Sequence, residues 1–244
     1  MGFTKSLPVA LALAACASSA VRAESSAELL DLAARIHYGY YHGDARTIET
    51  AQSALDRLDG SPEVLYYRDF AALRRAQLGG IDRSSQARLR ACAQRDSATD
   101  VAKPFAADAW VLVAACALIG GDGRRSEQAL ALARDSDDDN PRIALVEAWA
   151  LERSAGTDPA RREAVAAQLT AVVQAFDAWT PSIDDPDWGH AEALTALAAD
   201  ALARGQVRAA RDLVERALLL APEYRAAVEV RAELQIARAG DRTL

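Results

Sequence analysis

The chain has 244 residues, a length that suits one sizeable domain or a modest repeat array. Alanine, leucine and arginine are abundant, whereas aromatic residues make up only 6% of the chain. Good helix formers therefore dominate and strand-forming residues are scarce, which argues against a β fold and favours an all-helical one. The formal net charge is −7 and no basic stripe is present, which argues against a nucleic-acid partner.

Residues 1–23 have the three parts of a secretory signal peptide. Residues 1–5 form a short, weakly positive head, residues 7–15 are apolar, and residues 21–23 end in a small-x-small cleavage pattern. The apolar stretch is too short to span a bilayer, which needs roughly 20 residues. We therefore expect residues 1–23 to be removed and residues 24–244 to form one domain that is exported to the periplasm.

A second processing route competes with this one. Residues 13–16 read Leu-Ala-Ala-Cys directly after the apolar stretch, and they resemble the lipobox of bacterial lipoproteins. On that route the signal ends at Cys16, which carries the lipid, and the following residues tether the protein to the outer membrane without spanning it. Both routes imply export and both stay open at this point. A lipid anchor is the only membrane contact that we expect.

The densest aromatic cluster is at residues 37–42, which read His-Tyr-Gly-Tyr-Tyr-His. Exposed tyrosines offer a large contact area at a modest cost in conformational entropy, so Tyr40 and Tyr41 are candidate protein-binding residues. The alternative is that two of the three tyrosines pack against residues 65–67. The two histidines lie about 140° apart around a helix without an acid at a matching position, so we expect no metal site here.

Cys92 and Cys116 are the only cysteines in the expected folded region, and export permits a disulfide between them. If residues 85–96 and 104–120 are antiparallel neighbours, however, the two cysteines are offset along the pair by about 10 Å. A disulfide requires Cα atoms within about 7 Å of each other. We therefore expect two small buried residues at helix contacts and no disulfide.

Apolar residues recur at three- and four-residue spacing along most of the chain, in segments that turn residues separate. Asp158 and Pro159, for example, have the cap and first-turn positions of a helix. The segments pair into about five antiparallel hairpins, and a last helix at residues 223–239 is expected to close the stack. Because one hairpin can bury its apolar face only against its neighbours, we predict an all-α solenoid. The expected hairpins are residues 29–58, 65–96, 110–133, 143–177 and 191–222.

The hairpin at residues 191–222 carries the most specific pattern. Six positions keep the spacing of a large-small pair, a turn glycine, two small contact residues and a terminal proline: Leu197, Ala198, Gly205, Ala210, Ala217 and Pro222. This spacing resembles the tetratricopeptide repeat, a helix–turn–helix unit of 34 residues. The aromatic residues of that repeat are replaced by Leu194 and Ala201. Proteins with this repeat generally hold peptides or other proteins on a curved surface, so the resemblance implies a binding module.

Two further segments are rich in aspartate. Residues 177–189 form a connection of unusual length that carries Trp179 and Trp188, and long connections often carry function. These tryptophans are therefore candidate protein-binding residues, or equally they pin the connection to the core. Residues 135–140 look like the start of a calcium loop, but the twelfth position is Val146, so we expect a solvated acidic loop instead.

The motifs that would indicate catalysis are missing. The sequence has no nucleophile elbow, no zinc-protease motif and no phosphate-binding glycine loop, so we expect no enzyme and no cofactor. The expected function is a scaffold or adaptor for a protein or peptide in the bacterial cell envelope. The alternative is a periplasmic receptor for a small molecule or cell-wall fragment. An apolar groove wide enough for a helix would favour the first, and a closed pocket with converging arginines the second.

Overall fold

The computed structural model describes residues 27–58, 60–79, 82–96, 106–181 and 186–241, with side chains described up to residue 236. Over these residues the chain is α-helical with short connections and contains no strand, which confirms the all-α prediction. The helices of the described part are α1 (27–42), α2 (Ala45–Leu55), α3 (Pro62–Gln77), α4 (Arg83–Ala93), α5 (Ala106–Ile119), α6 (Gly123–Ser136), α7 (Pro141–Ala155), α8 (Pro159–Ala178), α9 (His190–Ala203), α10 (Val207–Leu220) and α11 (Arg225–Asp241).

The predictions for the N-terminus fall outside this part of the chain. The signal peptide at residues 1–23 and the lipidation of Cys16 lie outside the described residues and stay predictions. Within the described ranges, no helix combines the length and the apolar character that crossing a membrane would require.

Short polar side chains begin most of the helices. At the start of α2, the Asp44 carboxylate accepts hydrogen bonds from the backbone N–H groups of Arg46 and Thr47. Asp158 caps α8 and Pro159 is its first residue, as the sequence predicts. These caps satisfy N–H groups that have no partner inside the helix. Gly205, with a φ of +74°, turns the chain between α9 and α10, where a left-handed residue is needed.

Consecutive helices pack as hairpins, most extensively α5 on α6, α9 on α10 and α7 on α8. Between α9 and α10 the contact residues Ala198, Ala210 and Ala217 are fully buried, so the two backbones can approach closely. The last helix, α11, packs against α9 and α10. The predicted solenoid of five hairpins and a closing helix is confirmed as a fold.

The expectation for the cysteines is wrong. Cys92 and Cys116 form a disulfide, and their Cα atoms are 6.0 Å apart. An offset of about 10 Å applies to antiparallel neighbours. Both cysteines, however, lie in the last turn of their helices, α4 and α5, so the C-terminal ends of these helices lie together. Arg125 of α6 joins the same corner by donating hydrogen bonds to the carbonyl oxygens of Ala93 and Arg95.

The two ends of the array touch each other. The hydroxyl oxygens of Tyr40, in α1, and Tyr224, just before α11, are 3.3 Å apart, and their rings are 5.8 Å apart. His42 also contacts the carboxylate of Glu223 through its ring. In an open solenoid each hairpin contacts only its neighbours. Here the first and last elements also meet, so the two ends of the array are joined to each other.

Candidate functional site

The four residues that the sequence singled out for protein binding lie in one region. Tyr40 and Trp188 are buried, with 9% and 3% of their surface exposed. Tyr41 and Trp179 are half-buried and line a common cavity, to which Trp188 also contributes. The structure therefore brings together Tyr41 at the end of α1, Trp179 at the end of α8 and Trp188 before α9. Their role in binding stays a prediction.

A buried arginine organises this region. Arg74 of α3 has no exposed surface, and its guanidinium forms an ion pair with the carboxylate of Glu192 in α9. The guanidinium carbon lies 4.0 Å from the ring centre of Tyr40, 4.8 Å from that of Phe70 and 5.2 Å from that of Trp188. We call this set, together with Tyr224, the Arg74 network. It joins α1, α3, α9 and the start of α11.

Glu192 has two partners in this network. One carboxylate oxygen accepts from Arg74, and the other accepts from the backbone N–H of Gly189 at 2.8 Å, which caps α9. Two buried charges stabilise a fold only when both are paired and their remaining polar atoms are satisfied. The pair therefore ties the beginning of α9 to α3 across 118 positions of sequence.

A second buried arginine holds the connection before α9 in place. Arg142, near the start of α7, donates to the carbonyl oxygens of Trp188, at 2.9 Å, and Pro186. Its guanidinium also lies 3.4 Å from the carboxylate of Asp108 and 4.7 Å from the ring centre of Trp179. Arg142 thus positions both tryptophans of the connection, and its charge is balanced by Asp108.

The sequence reasoning missed both arginines. Arg74 follows the apolar residues 70–73 within a helix, which is the signal that could have marked it as buried. Arg142 follows the cap and proline of α7 and carries no comparable signal. The partners of both residues come from distant parts of the chain, so a local pattern cannot identify them.

The cavity beside Trp179 has a volume of about 480 Å³, and we call it the tryptophan cleft. It lies among the ends of α1, α8 and α10 and the start of α9. The side chains that shape its walls and charge are Tyr41, Phe176, Trp179, Asp187, Trp188 and His190. A volume of this order suits a small ligand or a short stretch of peptide.

The cleft has a defined charge pattern. The His190 ring stacks on Phe176 at 5.2 Å and lies 3.2 Å from the carboxylate of Asp177. Burial lowers the pKa of His190, although Asp177 opposes the shift. Asp177 itself accepts two hydrogen bonds from Arg216. Asp187 is exposed, and none of the arginines or histidines in the described ranges forms an ion pair with it.

A second cavity of about 370 Å³ lies on the other side of the Arg74 network. Tyr40, Trp149, Glu192 and Tyr224 contribute to its lining, and small residues of α9 and the face of α11 complete it. Trp149 stacks on Trp188, with ring centres 6.5 Å apart, so the two tryptophans separate this cavity from the tryptophan cleft. The Arg74 network therefore contributes side chains to both cavities.

A larger cavity, of about 650 Å³, lies at the corner of the disulfide. It is lined by α4, α5 and the start of α6, with Arg90, Asp96 and Arg125 among the lining residues, and none of its described lining residues is aromatic. None of the residues that the sequence predicts for protein binding contributes to this cavity, whereas Tyr41, Trp179 and Trp188 line the tryptophan cleft.

The aromatic cluster of α1 divides between interior and surface. Tyr38 is 53% exposed and stacks on His42, whereas His37 lies inside, 4.9 Å from the Phe70 ring. Burial and the nearby positive charge of Arg74 lower the pKa of His37 to about 4, so its ring is neutral at pH 7. Within the described residues no group of three or more histidine, cysteine or acidic side chains is arranged to hold a metal ion.

The acidic segment at residues 135–140 forms the end of α6 and a short connection to α7. Asn140, the last residue of the segment, caps α7 by accepting from the backbone N–H of Arg142. The segment thus serves as an inter-helix connection in the structure.

No protein-family model and no curated protein sequence matches this chain.

Proposed function

We propose that the chain is a non-catalytic binding protein of the bacterial cell envelope, and that it holds a segment of another protein in the tryptophan cleft. One observation carries this proposal. Tyr41 and Trp179, which are 138 positions apart in sequence, line one half-open cavity together with Trp188. Large, rigid aromatic side chains around a cavity are the usual anchors of protein recognition.

The position of the cleft also matters for the mode of binding. The resemblance to tetratricopeptide repeats implies binding along a curved surface, but here the Arg74 network joins α1, α3, α9 and the start of α11 through buried side chains. A complete helix has a diameter of about 10 Å and would need an open groove. The cleft at the end of α8 instead suits a few residues of a partner, so we expect recognition of a short segment.

The disulfide supports the envelope as the compartment. Disulfides persist in oxidising compartments and are rare in reducing ones. Cys92 and Cys116 are both fully buried and are bridged, and this agrees with the export that the pattern of residues 1–23 predicts. Mass spectrometry of the mature protein tests this part of the proposal. We expect an N-terminus at Glu24 or at an acylated Cys16, and an intact start at Met1 would contradict export.

Affinity capture from detergent-solubilised envelope tests the cleft. We expect Trp179→Ala and Tyr41→Ala each to reduce recovery of the captured partner by about tenfold or more, because each removes an aromatic wall. Both residues are half-buried, so their truncation leaves the core in place. Tyr38→Ala is the matched control, since Tyr38 is an exposed tyrosine of the same helix that does not line the cleft.

The Tyr38→Ala control distinguishes specific recognition at the cleft from non-specific adsorption. Tyr38→Ala is expected to capture the same partner as the native protein, in the same amount. Equal recovery by Trp179→Ala, Tyr41→Ala and the native protein would remove the cleft as the binding site. Circular dichroism of each variant confirms that its helices remain formed.

A receptor for a small molecule or cell-wall fragment is the second candidate, and the volume of the cleft favours it. About 480 Å³ is within the range of small-molecule sites. Arg74 and Arg142 also converge on Trp188, which meets one part of the criterion for this alternative. The other part, a closed pocket, is not met, because the cleft is half-open. Their donors, however, are directed to Glu192, Asp108 and backbone carbonyl oxygens. Soluble cell-wall fragments that raise the melting temperature of the native protein but not of Trp179→Ala would support this candidate.

A further inference from the structure

We propose that the tryptophan cleft selects a cationic group carried on an apolar stem, which is the chemistry of a lysine or arginine side chain of the partner. This inference rests on the proposed function, because it names the kind of side chain that the cleft receives.

The walls of the cleft are aromatic on several sides. Tyr41, Phe176, Trp179 and Trp188 come from α1, α8 and the connection before α9, and they surround one space. Such rings pack well against the methylene groups of a long side chain, and their faces attract a cation electrostatically. The protein already uses this attraction, because the guanidinium of Arg142 lies over the Trp179 ring at 4.7 Å.

Among the described residues, the charge balance leaves one negative charge at the cleft. Arg142 is the cation in its wall, and the carboxylate of Asp108 balances that charge at 3.4 Å. Asp177 is balanced by Arg216. The Asp187 carboxylate lines the cleft, is exposed and forms no ion pair with the arginines or histidines of the described ranges. It is therefore the charge available to a ligand.

The negative charge of Asp187 affects the pKa of Tyr41. The pKa of Tyr41 is raised mainly by burial, and the negative charges of Glu192 and Asp187 raise it further, whereas Arg74 lowers it. The Asp187 carboxylate thus lies close enough to Tyr41 to act on its hydroxyl. An aromatic side chain and an available carboxylate therefore face the same space.

The sequence of the connection agrees with this charge pattern. Residues 177–189 contain four aspartates and no lysine or arginine, and the whole chain has a net charge of −7. An acidic protein attracts cationic partners during encounter and repels anionic ones, and the charge of Asp187 at the cleft has the same sign.

Titration followed by tryptophan fluorescence tests the inference with three matched probes. N-acetyl-lysine N-methylamide carries the stem, the cation and a peptide backbone. The norleucine analogue carries the stem and the backbone without the charge, and butylammonium carries the stem and the charge without the backbone. We expect the norleucine probe to bind the native protein at least fivefold more weakly than the lysine probe. Tighter binding of lysine than of butylammonium would indicate a peptide as the source, and equal binding a free amine.

Variants assign the effect to the cleft. Asp187→Asn is expected to weaken binding of the lysine probe by about fivefold and to leave the norleucine probe unchanged. Asp138→Asn removes the same charge from an exposed loop and is expected to change neither. Trp179→Ala is expected to weaken both probes.

The outcomes separate this inference from the proposed function. Equal binding of the lysine and norleucine probes, or no effect of Asp187→Asn on the lysine probe, overturns the cation selectivity while the cleft stands as a site. Lysine-probe binding too weak to detect in the native protein also overturns the selectivity. Binding of all three probes that Trp179→Ala leaves unchanged would remove the cleft itself.

Discussion

Two contacts between helices of this chain use different chemistry. In the α9–α10 hairpin, fully buried alanines such as Ala198 and Ala210 let neighbouring helices approach. Between α3 and α9, the buried guanidinium of Arg74 meets the carboxylate of Glu192 among aromatic rings. The first contact forms between helices that adjoin in sequence and could recur at any hairpin. The contact between Arg74 and Glu192 requires one specific pair of side chains, so it determines which distant helices meet.

The largest expected effect comes from breaking the Arg74 network. Arg74→Ala leaves the Glu192 carboxylate buried without its cation, so we expect the free energy of unfolding to fall by about 4 kcal/mol. Denaturant unfolding followed by circular dichroism measures this. The double variant Arg74→Met and Glu192→Leu removes both charges and is expected to recover most of the loss. A double variant as unstable as Arg74→Ala would show that the aromatic packing of Arg74, and not the ion pair, is responsible.

The stability of the alanine contact between α9 and α10 is expected to depend on the size of the side chains and not on their charge. Ala210→Leu forces three additional carbon atoms between α9 and α10, where Ala210 has no exposed surface, so we expect a loss of about 3 kcal/mol. Its neighbour Ala209 is exposed in the same helix, and Ala209→Leu should change stability by less than about 0.5 kcal/mol. Equal unfolding midpoints for the two variants would show that α9 and α10 can move apart without a decrease in the free energy of unfolding.

A smaller effect of pH is expected at the edge of the Arg74 network. His37 has a pKa of about 4 in the folded protein against 6.5 for the free side chain, so between these values the unfolded state binds more protons. Stability attributable to His37 is therefore complete above about pH 6.5 and falls as the pH decreases towards 4. Because the side chain is only partly buried, we expect a loss of about 2 kcal/mol from this source.

The variant His37→Gln isolates this contribution, because it removes the titrating ring and keeps a polar side chain. Stability measured at several pH values should fall less steeply between pH 6.5 and 4 in the variant than in the native protein. Parallel curves for the two proteins would show that His37 titrates normally in the folded state.

The same comparison explains what could be predicted from the sequence. The α9–α10 contact is local, so the spacing of Ala198, Ala210 and Ala217 was sufficient to predict a helical hairpin. The disulfide depends on the relative direction of two consecutive helices, and the Arg74 network depends on how distant helices are arranged. Local spacing determines neither. The assumption that these two helices are antiparallel therefore predicts too large a distance between Cys92 and Cys116.

In the candidate site, the sequence identifies some of the residues but not their arrangement in space. Trp179 and Trp188 were identified because they stand out in a long connection, and Tyr41 because it belongs to a dense aromatic cluster. That these residues share a cavity could not be predicted, since α1 approaches α9 only when the ends of the array meet. Asp187 was one aspartate among four in the sequence, and only the structure places it beside the tryptophans.

The smallest expected effect concerns the turn of the α9–α10 hairpin. Gly205 has a φ of +74° and open space around its Cα, so Gly205→Ala meets no steric contact and is disfavoured only by its backbone conformation. We expect a loss of about 1 kcal/mol from this source. Gly123, at the first position of α6, also has open space but no positive φ, so Gly123→Ala should be neutral or slightly stabilising. Thermal unfolding of Gly205→Ala and Gly123→Ala side by side measures the difference in stability. Equal melting temperatures would mean that the turn at position 205 adopts another conformation without loss of stability.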